Sequence, residues 1–267
     1  MRRISSRSNP LVARFRDAAR GRDSSGTLLL DGEHLIDEAL SSNVTLDVVA
    51  LADGIVDANP RLIDRLERAG VDVVGVPSQV MAAMSPVKQP AGLVALARAT
   101  VASLDEVMAG APQLIVVLQG VQDAGNVGAI VRAADGCGAT GIVAAEGTAD
   151  PFGWKALRGA MGSTFRVPIA TRQPTAATLA HLREHGVSIV ATVPRDGTPL
   201  PRFSFTGPVA IVLGGEGPGL LPDVVARADQ RLSIPMRQPV ESFNVAITAA
   251  LILYEAAKQR HGQVALL

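Results

Sequence analysis

The sequence predicts an α/β protein of two units. Three observations carry that prediction. Short apolar runs of strand length alternate with segments of helical period, the pattern of a parallel or mixed sheet with helices over its faces. A break at Gly110, Ala111 and Pro112 divides the alternation into residues 1–100 and 113–267, with a linker over 101–112. In the second part, three runs end abruptly in Gly-rich or Pro-bent loops, after Leu118, Leu213 and Ile234. The chain is 48% hydrophobic, enough for a sizeable core, and only 3% aromatic, so that core must be aliphatic.

The elements follow in order. Ser8, Asn9 and Pro10 precede a helical pattern at Leu11, Val12, Phe15 and Ala19. Thr27–Leu30 is a short buried strand, and Asp31-Gly32 turns the chain into a helix over Glu33–Leu40. Val44–Ala52 is a strand, Pro60–Ala69 a helix ended by Gly70, Val71–Val76 a strand, Pro77–Met84 a short helix and Gly92–Ala97 a strand. A short helix over Leu104–Ala109 lies in the linker. In the second unit, Leu114–Leu118 is a strand, residues 120–128 a Gly- and Asx-rich loop, Ala129–Gly136 a helix and Gly141–Ala145 a strand. Ala156–Met161 is a helical turn, Arg166–Ile169 a short strand, Ala176–His185 a helix and Val187–Thr192 a strand. Val209–Leu213 and Leu232–Ile234 are the last strands. Ser242 then sits where a helix N-cap belongs, ahead of Val245–Tyr254, which is apolar on all sides and so predicts a deeply buried helix.

Composition excludes several classes. Lys+Arg and Asp+Glu both count 25, so net charge identifies no partner. The basic residues are concentrated at the start, where Arg2, Arg3, Arg7, Arg14, Arg16, Arg20 and Arg22 face Asp17 alone, a distribution suited to phosphate contact. The scarcity of aromatics argues against a stacking platform for single strands. Cys137 is the only cysteine, which excludes an internal disulfide and fits a reducing cytoplasm. His181 and His185 could share a helix face, but without a third ligand they make a poor zinc site, and no metal is expected. The Arg-rich N-terminus has no apolar segment of signal-peptide type, and no run reaches membrane-spanning length.

The three strand-end loops are the candidate site, because open α/β sheets bind ligands beyond the carboxyl ends of their strands. The glycines there allow close approach of backbone to a ligand. No Rossmann G-x-G-x-x-G or Walker A loop is present, which counts against a nucleotide-dependent oxidoreductase. The polar candidates are Asn126, Arg132, Glu216, Ser242 and Asn244. Ser242 has no nucleophile elbow and no histidine beside it, so a hydrolase triad is not expected. Arg132 lies within an otherwise apolar helix pattern and must face a partner or a cleft.

These segments resemble the three signature motifs of the SpoU/TrmH family of RNA ribose 2′-O-methyltransferases, of the knotted SPOUT class. Gly125–Asp135 with Asn126 and Arg132 is similar to the first, Ile211–Leu220 with Glu216 to the second, and Ile234–Ala246 with Ser242 and Asn244 to the third. The first unit, with Ser8-Asn9-Pro10 and Asp31-Gly32-Glu33, is similar to the L30e-like domain that often precedes this fold. The chain departs from the family pattern at Asp31, at Gln89-Pro90-Ala91-Gly92 and at Phe243, where leucine is usual.

The resemblance implies a knotted C-terminal methyltransferase domain. S-adenosylmethionine would be bound near Leu213, Gly214, Gly219, Ile234, Met236, Phe243 and Asn244. Asn126, Arg132, Glu216, Ser242 and Asn244 would carry the reaction. A guanidinium stays charged in proteins, so Arg132 is expected to position the 2′-hydroxyl and stabilise developing alkoxide charge, with Glu216 or an RNA phosphate taking the proton. RNA, most readily ribosomal RNA, would be gripped by Arg2, Arg3, Arg7 and Arg14, with Lys155 and Arg158 nearer the motifs. A homodimer through the C-terminal helix is implied. The alternatives are a tRNA 2′-O-methyltransferase and a non-catalytic RNA-binding protein of the same fold.

Overall fold

The computed structural model describes residues 1–21, 26–56, 59–217 and 219–261. Arg22, from the basic run, and Pro218, from the second motif, lie outside the described residues. By its contacts the chain forms two units, residues 1–100 with 152–165, and residues 101–151 with 166–267.

Among the described residues, the first unit contains five strands: β1 (Arg2–Arg3), β2 (Thr27–Asp31), β3 (Leu46–Ala52), β4 (Asp72–Val76) and β5 (Leu93–Arg98). They form one mixed sheet in the order β1-β4-β3-β5-β2, with β5 antiparallel to both neighbours. Its helices are α1 (Pro10–Ala19), α2 (Glu33–Ser41), α3 (Asp53–Val56), α4 (Pro60–Arg68) and α5 (Ser78–Met84). Asn9 caps α1, its side chain accepting from the Leu11 N–H at 2.9 Å, with Pro10 at the first helical position. Leu11, Val12 and Phe15 on α1 then pack with Val80, Met81 and Met84 of α5 on Val48, Ala50, Val74 and Val94 of the sheet.

In the second unit come α6 (Leu104–Met108), strand β6 (Leu114–Gln119), α7 (Ala124–Gly136) and β7 (Gly141–Ala145). The chain then supplies α8 (Trp154–Ala160) to the first unit, where Trp154 packs on the core. By sequence alone these residues fall in the second part. Their short helical pattern is apolar at Trp154, Ala156, Leu157 and Ala160, and it carries no mark of which sheet it will cover. Beyond it run β8 (Ile169–Gln173), α9 (Thr175–Glu184), β9 (Ser188–Thr192), β10 (Thr198–Pro199), β11 (Val209–Gly214), α10 (Pro222–Arg227), β12 (Gln230–Ser233) and α11 (Val245–His261).

The second sheet has the order β10-β12-β9-β11-β6-β7-β8, and its pairings are parallel throughout. Alternate residues serve opposite faces. Ile115 and Val117 join Leu179, Leu182 and Val224 in one core, while Leu114, Val116 and Leu118 are equally buried on the other side. Burial on both faces explains why these strands read as unbroken apolar runs. The linker is part of this unit: Val107 of α6 enters the core, and Ser103 and Glu106 form a reciprocal capping box at the start of α6. At the other end Arg260 of α11 donates to the carbonyls of Pro112, Gln113, Phe205 and Gly207, at 2.6 to 2.9 Å. Burial pushes its guanidinium down from the ordinary arginine value.

Several local expectations are corrected. The loop foreseen over 120–128 is shorter, because Asp123 caps α7 by accepting from the Asn126 N–H at 2.8 Å and the helix begins at Ala124. The strand foreseen at 166–169 lies at Ile169–Gln173, held beside Ile142–Ala145. The two-residue strands β1 and β10 and the short α3 were not foreseen. Asn244, not Ser242, caps the last helix: its Oδ1 accepts from the N–H groups of Ala246 at 2.9 Å and Ile247 at 3.3 Å. That helix is not buried on all sides. Val245, Ala249, Ile252, Leu253, Ala256 and Ala257 are covered, but Ile247, Leu251 and Tyr254 are 52%, 42% and 59% exposed.

Candidate active site

Parallel strands put their carboxyl ends on one edge of the second sheet, and the cavity lies there. It has a volume of about 470 Å³. Leu213 and Gly214 at the end of β11, Leu232 in β12, and Ile234 and Met236 beyond it give it apolar and backbone walls. Thr192, Val193 and Pro194 close it from the end of β9, and Val245, Thr248 and Ile252 from α11.

Close backbone packing shapes this wall. Gly215 donates from its N–H to the Gln119 carbonyl at 2.9 Å. A Cβ on Gly215 would stand 1.9 Å from the Gly120 carbonyl oxygen, and one on Gly214 would stand 2.4 Å from the Gly219 carbonyl carbon. The loop after β11 therefore crosses the loop after β6 backbone against backbone, which only glycine permits.

The polar residues of the three motifs meet in one chain of hydrogen bonds. Asn126 on α7 donates from Nδ2 to Glu216 Oε1. Its Oδ1 accepts from Asn244 Nδ2 at 3.2 Å. Glu216, Ser242 and Asn244 line the cavity, together with Leu213, Gly214, Gly219, Ile234, Met236 and Phe243. Asn126 joins them through the two hydrogen bonds of its side-chain amide.

Arg132 stands apart. It is exposed and does not line the cavity. Among the described residues it makes no hydrogen bond or ion pair. Six helical positions carry it about 120° round α7 from Asn126. The amino-terminal arginines are mostly engaged: Arg2 with Asp72 at 2.6 Å, Arg3 with Asp53 at 2.8 Å, Arg14 with Asp47 at 3.6 Å, and Arg7 donating to the Gln79 carbonyl at 3.0 Å. Lys155 and Arg158 are exposed on α8, within the first unit, with the Lys155 ammonium 5.6 Å from the Trp154 ring centre. His181 and His185 pack ring to ring, and His181 contacts Asp105 at 3.2 Å. Burial pushes the half-buried Cys137 thiol up, away from the reactive thiolate.

Sequence reasoning missed Thr192, Val193 and Pro194. The signal was present in an apolar run that ends at Pro194-Arg195-Asp196-Gly197, but only the sheet order makes β9 the neighbour of both β11 and β12.

A family model described as the SpoU rRNA Methylase family matches residues 113–254, more than half of the chain. The chain belongs to the SpoU rRNA methylase family. A second model, an MRM3-like substrate binding domain, matches residues 12–95. The SpoU chain is similar to an uncharacterized tRNA/rRNA methyltransferase of Synechocystis sp., 33% identical over 96% of this chain and 94% of that protein. It is 31% identical to the 23S rRNA (guanosine-2′-O-)-methyltransferase RlmB of Ralstonia nicotianae, over 87% of this chain and 96% of the relative. Its fold is similar to the AdoMet-bound rRNA methyltransferase from Sinorhizobium meliloti, with a TM-score of 0.85 and 26% identity over 96% of this chain and 97% of that one.

Proposed function

We propose that this SpoU family methyltransferase binds S-adenosyl-L-methionine, its methyl donor, in the cavity beyond β11 and β12 and methylates a ribose 2′-hydroxyl of 23S ribosomal RNA. The observation that carries the proposal is the hydrogen-bonded chain Glu216–Asn126–Asn244, drawn from three separate motifs onto one cavity. The cavity suits the donor. Its volume lies within the ~300–1,000 Å³ of small-molecule sites. Leu213, Ile234 and Met236 offer apolar surface to a flat heterocycle, and the backbone about Gly214 and Gly219 can meet its polar edge. Ser242, Asn244 and Glu216 supply polar groups for a charged amino-acid tail.

When bound, the donor supplies an activated methyl group on a sulfonium. The residues of the chain orient the acceptor and handle its proton. With the methyl group transferred to the 2′-oxygen, the hydroxyl proton would leave to Glu216 or to an RNA phosphate. Asn126 and Asn244 hold Glu216 in place, and alignment of this kind can supply much of the rate. Arg132 positions the hydroxyl and stabilises the developing alkoxide.

On this proposal the enzyme is a knotted homodimer of the cytoplasm. Among the described residues no helix is long and apolar enough to cross a membrane. Ile247, Leu251 and Tyr254 fall at i, i+4 and i+7 on α11 and form one exposed apolar stripe, with Phe243 (39% exposed) leading into it. A stripe of this kind marks an interface. Because α7 packs against α11 and Arg132 is exposed and does not line its own cavity, Arg132 serves the cavity of the second copy. Candidate RNA contacts are Lys155, Arg158, Arg195 and Arg237, which are exposed and have no ion pair among the described residues. Arg2, Arg3, Arg7 and Arg14 remain candidates that would exchange their present partners for phosphate.

The deciding experiment is calorimetric titration with S-adenosylmethionine and, as a contrast, NADH, followed by methyl transfer to 23S rRNA fragments. Binding of the first alone, with label lost when the target ribose is 2′-deoxy, is expected. A folded protein that binds neither compound, with or without RNA, would sink the proposal.

A further inference from the structure

We infer that Gln119 is a positioning residue that sets the shape of the cofactor wall, an inference that rests on the cavity being the S-adenosylmethionine site. Gln119 ends β6 and is 8% exposed, one of the few buried polar side chains. It pairs with Gly214 in the sheet register, and its carbonyl accepts from the Gly215 N–H at 2.9 Å. Its side chain reaches the far end of the same loop, where Oε1 accepts from the Leu221 N–H at 3.3 Å.

One residue therefore holds both ends of the segment 215–221. Among the described residues of the stretch between them, Glu216 accepts from Asn126. Gly217 and Gly219 have positive φ, at 93° and 68°, and a single antiparallel bridge links Gly215 to Gly219. The same stretch carries Glu216, Gly217, Gly219 and Leu220 of the cavity wall. Leu221 is also the residue from which α10 starts, and it has no side-chain cap of its own. A loop rich in glycine loses much conformational freedom on ordering, so a fixed anchor at each end lowers the cost of shaping the wall before the cofactor arrives. Gln119 touches neither the cavity nor its polar chain. It acts through the loop.

The test uses the full-length protein with Gln119→Met, which keeps the bulk and removes the acceptor, and Gln119→Glu, which keeps an acceptor oxygen. Calorimetry with S-adenosylmethionine, KM for an rRNA fragment and amide exchange over 215–221 are measured for each. The Met variant is expected to bind the cofactor about tenfold more weakly, the loss of one net hydrogen bond, with faster exchange at Leu221 and an unchanged KM for RNA. The Glu variant recovers most of the affinity. Affinity within about twofold of wild type in the Met variant, or equal loss in both variants, would overturn the inference. If the wild-type protein binds no cofactor, the functional proposal fails instead, and exchange at Leu221 still decides whether Gln119 holds the loop.

Discussion

At the scale of single residues, the clearest contrast is between Ser242 and Asn244. Both line the cavity, but only Asn244 caps α11 and contacts Asn126. Asn244→Ala is therefore expected to cost about 1 kcal/mol in denaturant unfolding as well as activity, while Ser242→Ala leaves stability unchanged. Equal stability of the two variants would refute the assignment of the cap. Gly215→Ala is harsher. Its Cβ would meet backbone 1.9 Å away, so a loss of about 3 kcal/mol or more is expected, at the upper end of overpacking. Arg132→Lys tests the guanidinium fork. It should lower kcat/KM by about a hundredfold, the scale of one lost oxyanion donor, with cofactor affinity intact. Asn126, Glu216 and Asn244 were legible in the sequence because each stands in a segment of marked composition, rich in Gly or Asx or bent by Pro. The isolation of Arg132 was not. It depends on where α7 begins, which the side chain of Asp123 decides.

At the scale of elements, most strands and helices were legible because apolar runs bounded by Gly and Pro have one economical interpretation. The two-residue strands β1 and β10 and the short helices α3 and α10 were not, since their place comes from neighbours and not from their own composition. The exposed stripe of α11 was invisible for another reason: an apolar run has no polar face to betray which side stays uncovered. The capping box of α6 gives a pH prediction. The backbone N–H and hydroxyl of Ser103 hold the Glu106 carboxyl below its ordinary value. A depressed carboxyl stabilises the fold above its unfolded value of about 4.3, and that contribution disappears as pH falls through the lower folded value. Glu106→Ala should be less stable than wild type near pH 7, and the two unfolding curves should converge in acid. A gap that widens in acid would contradict the assignment.

At the scale of the whole molecule, the proposed dimer can be tested by mixing. Ile247→Asp with Leu251→Asp should yield monomers in sedimentation and abolish activity. Arg132→Ala and Asn244→Ala chains should each be inactive alone. Co-purified at random, they should recover about a quarter of wild-type activity, because half of the dimers are mixed and each of those has one intact site. No recovery would mean that Arg132 acts within its own chain. Phe243 leads into the stripe and also lines the cavity, so cofactor affinity should fall on dilution below the dimer dissociation constant.

The origin of α8 also bears on synthesis. A domain whose residues are continuous in sequence can close soon after its last residue leaves the ribosome. The first unit here cannot. Its sheet is complete at Arg98, yet the helix that covers β2 is made only after β7 of the second unit. Until Trp154–Ala160 emerge, the core cluster that holds Leu29 lacks the Trp154 ring that packs against it. The second unit waits longer, since the carbonyls of Pro112, Gln113, Phe205 and Gly207 gain their charged donor only with Arg260 of α11. Each unit thus waits for a segment made well after its own sheet strands begin to form. A chain released prematurely at any point before α11 leaves the entrances to β6 and β11 without that clamp, an open target for proteolysis.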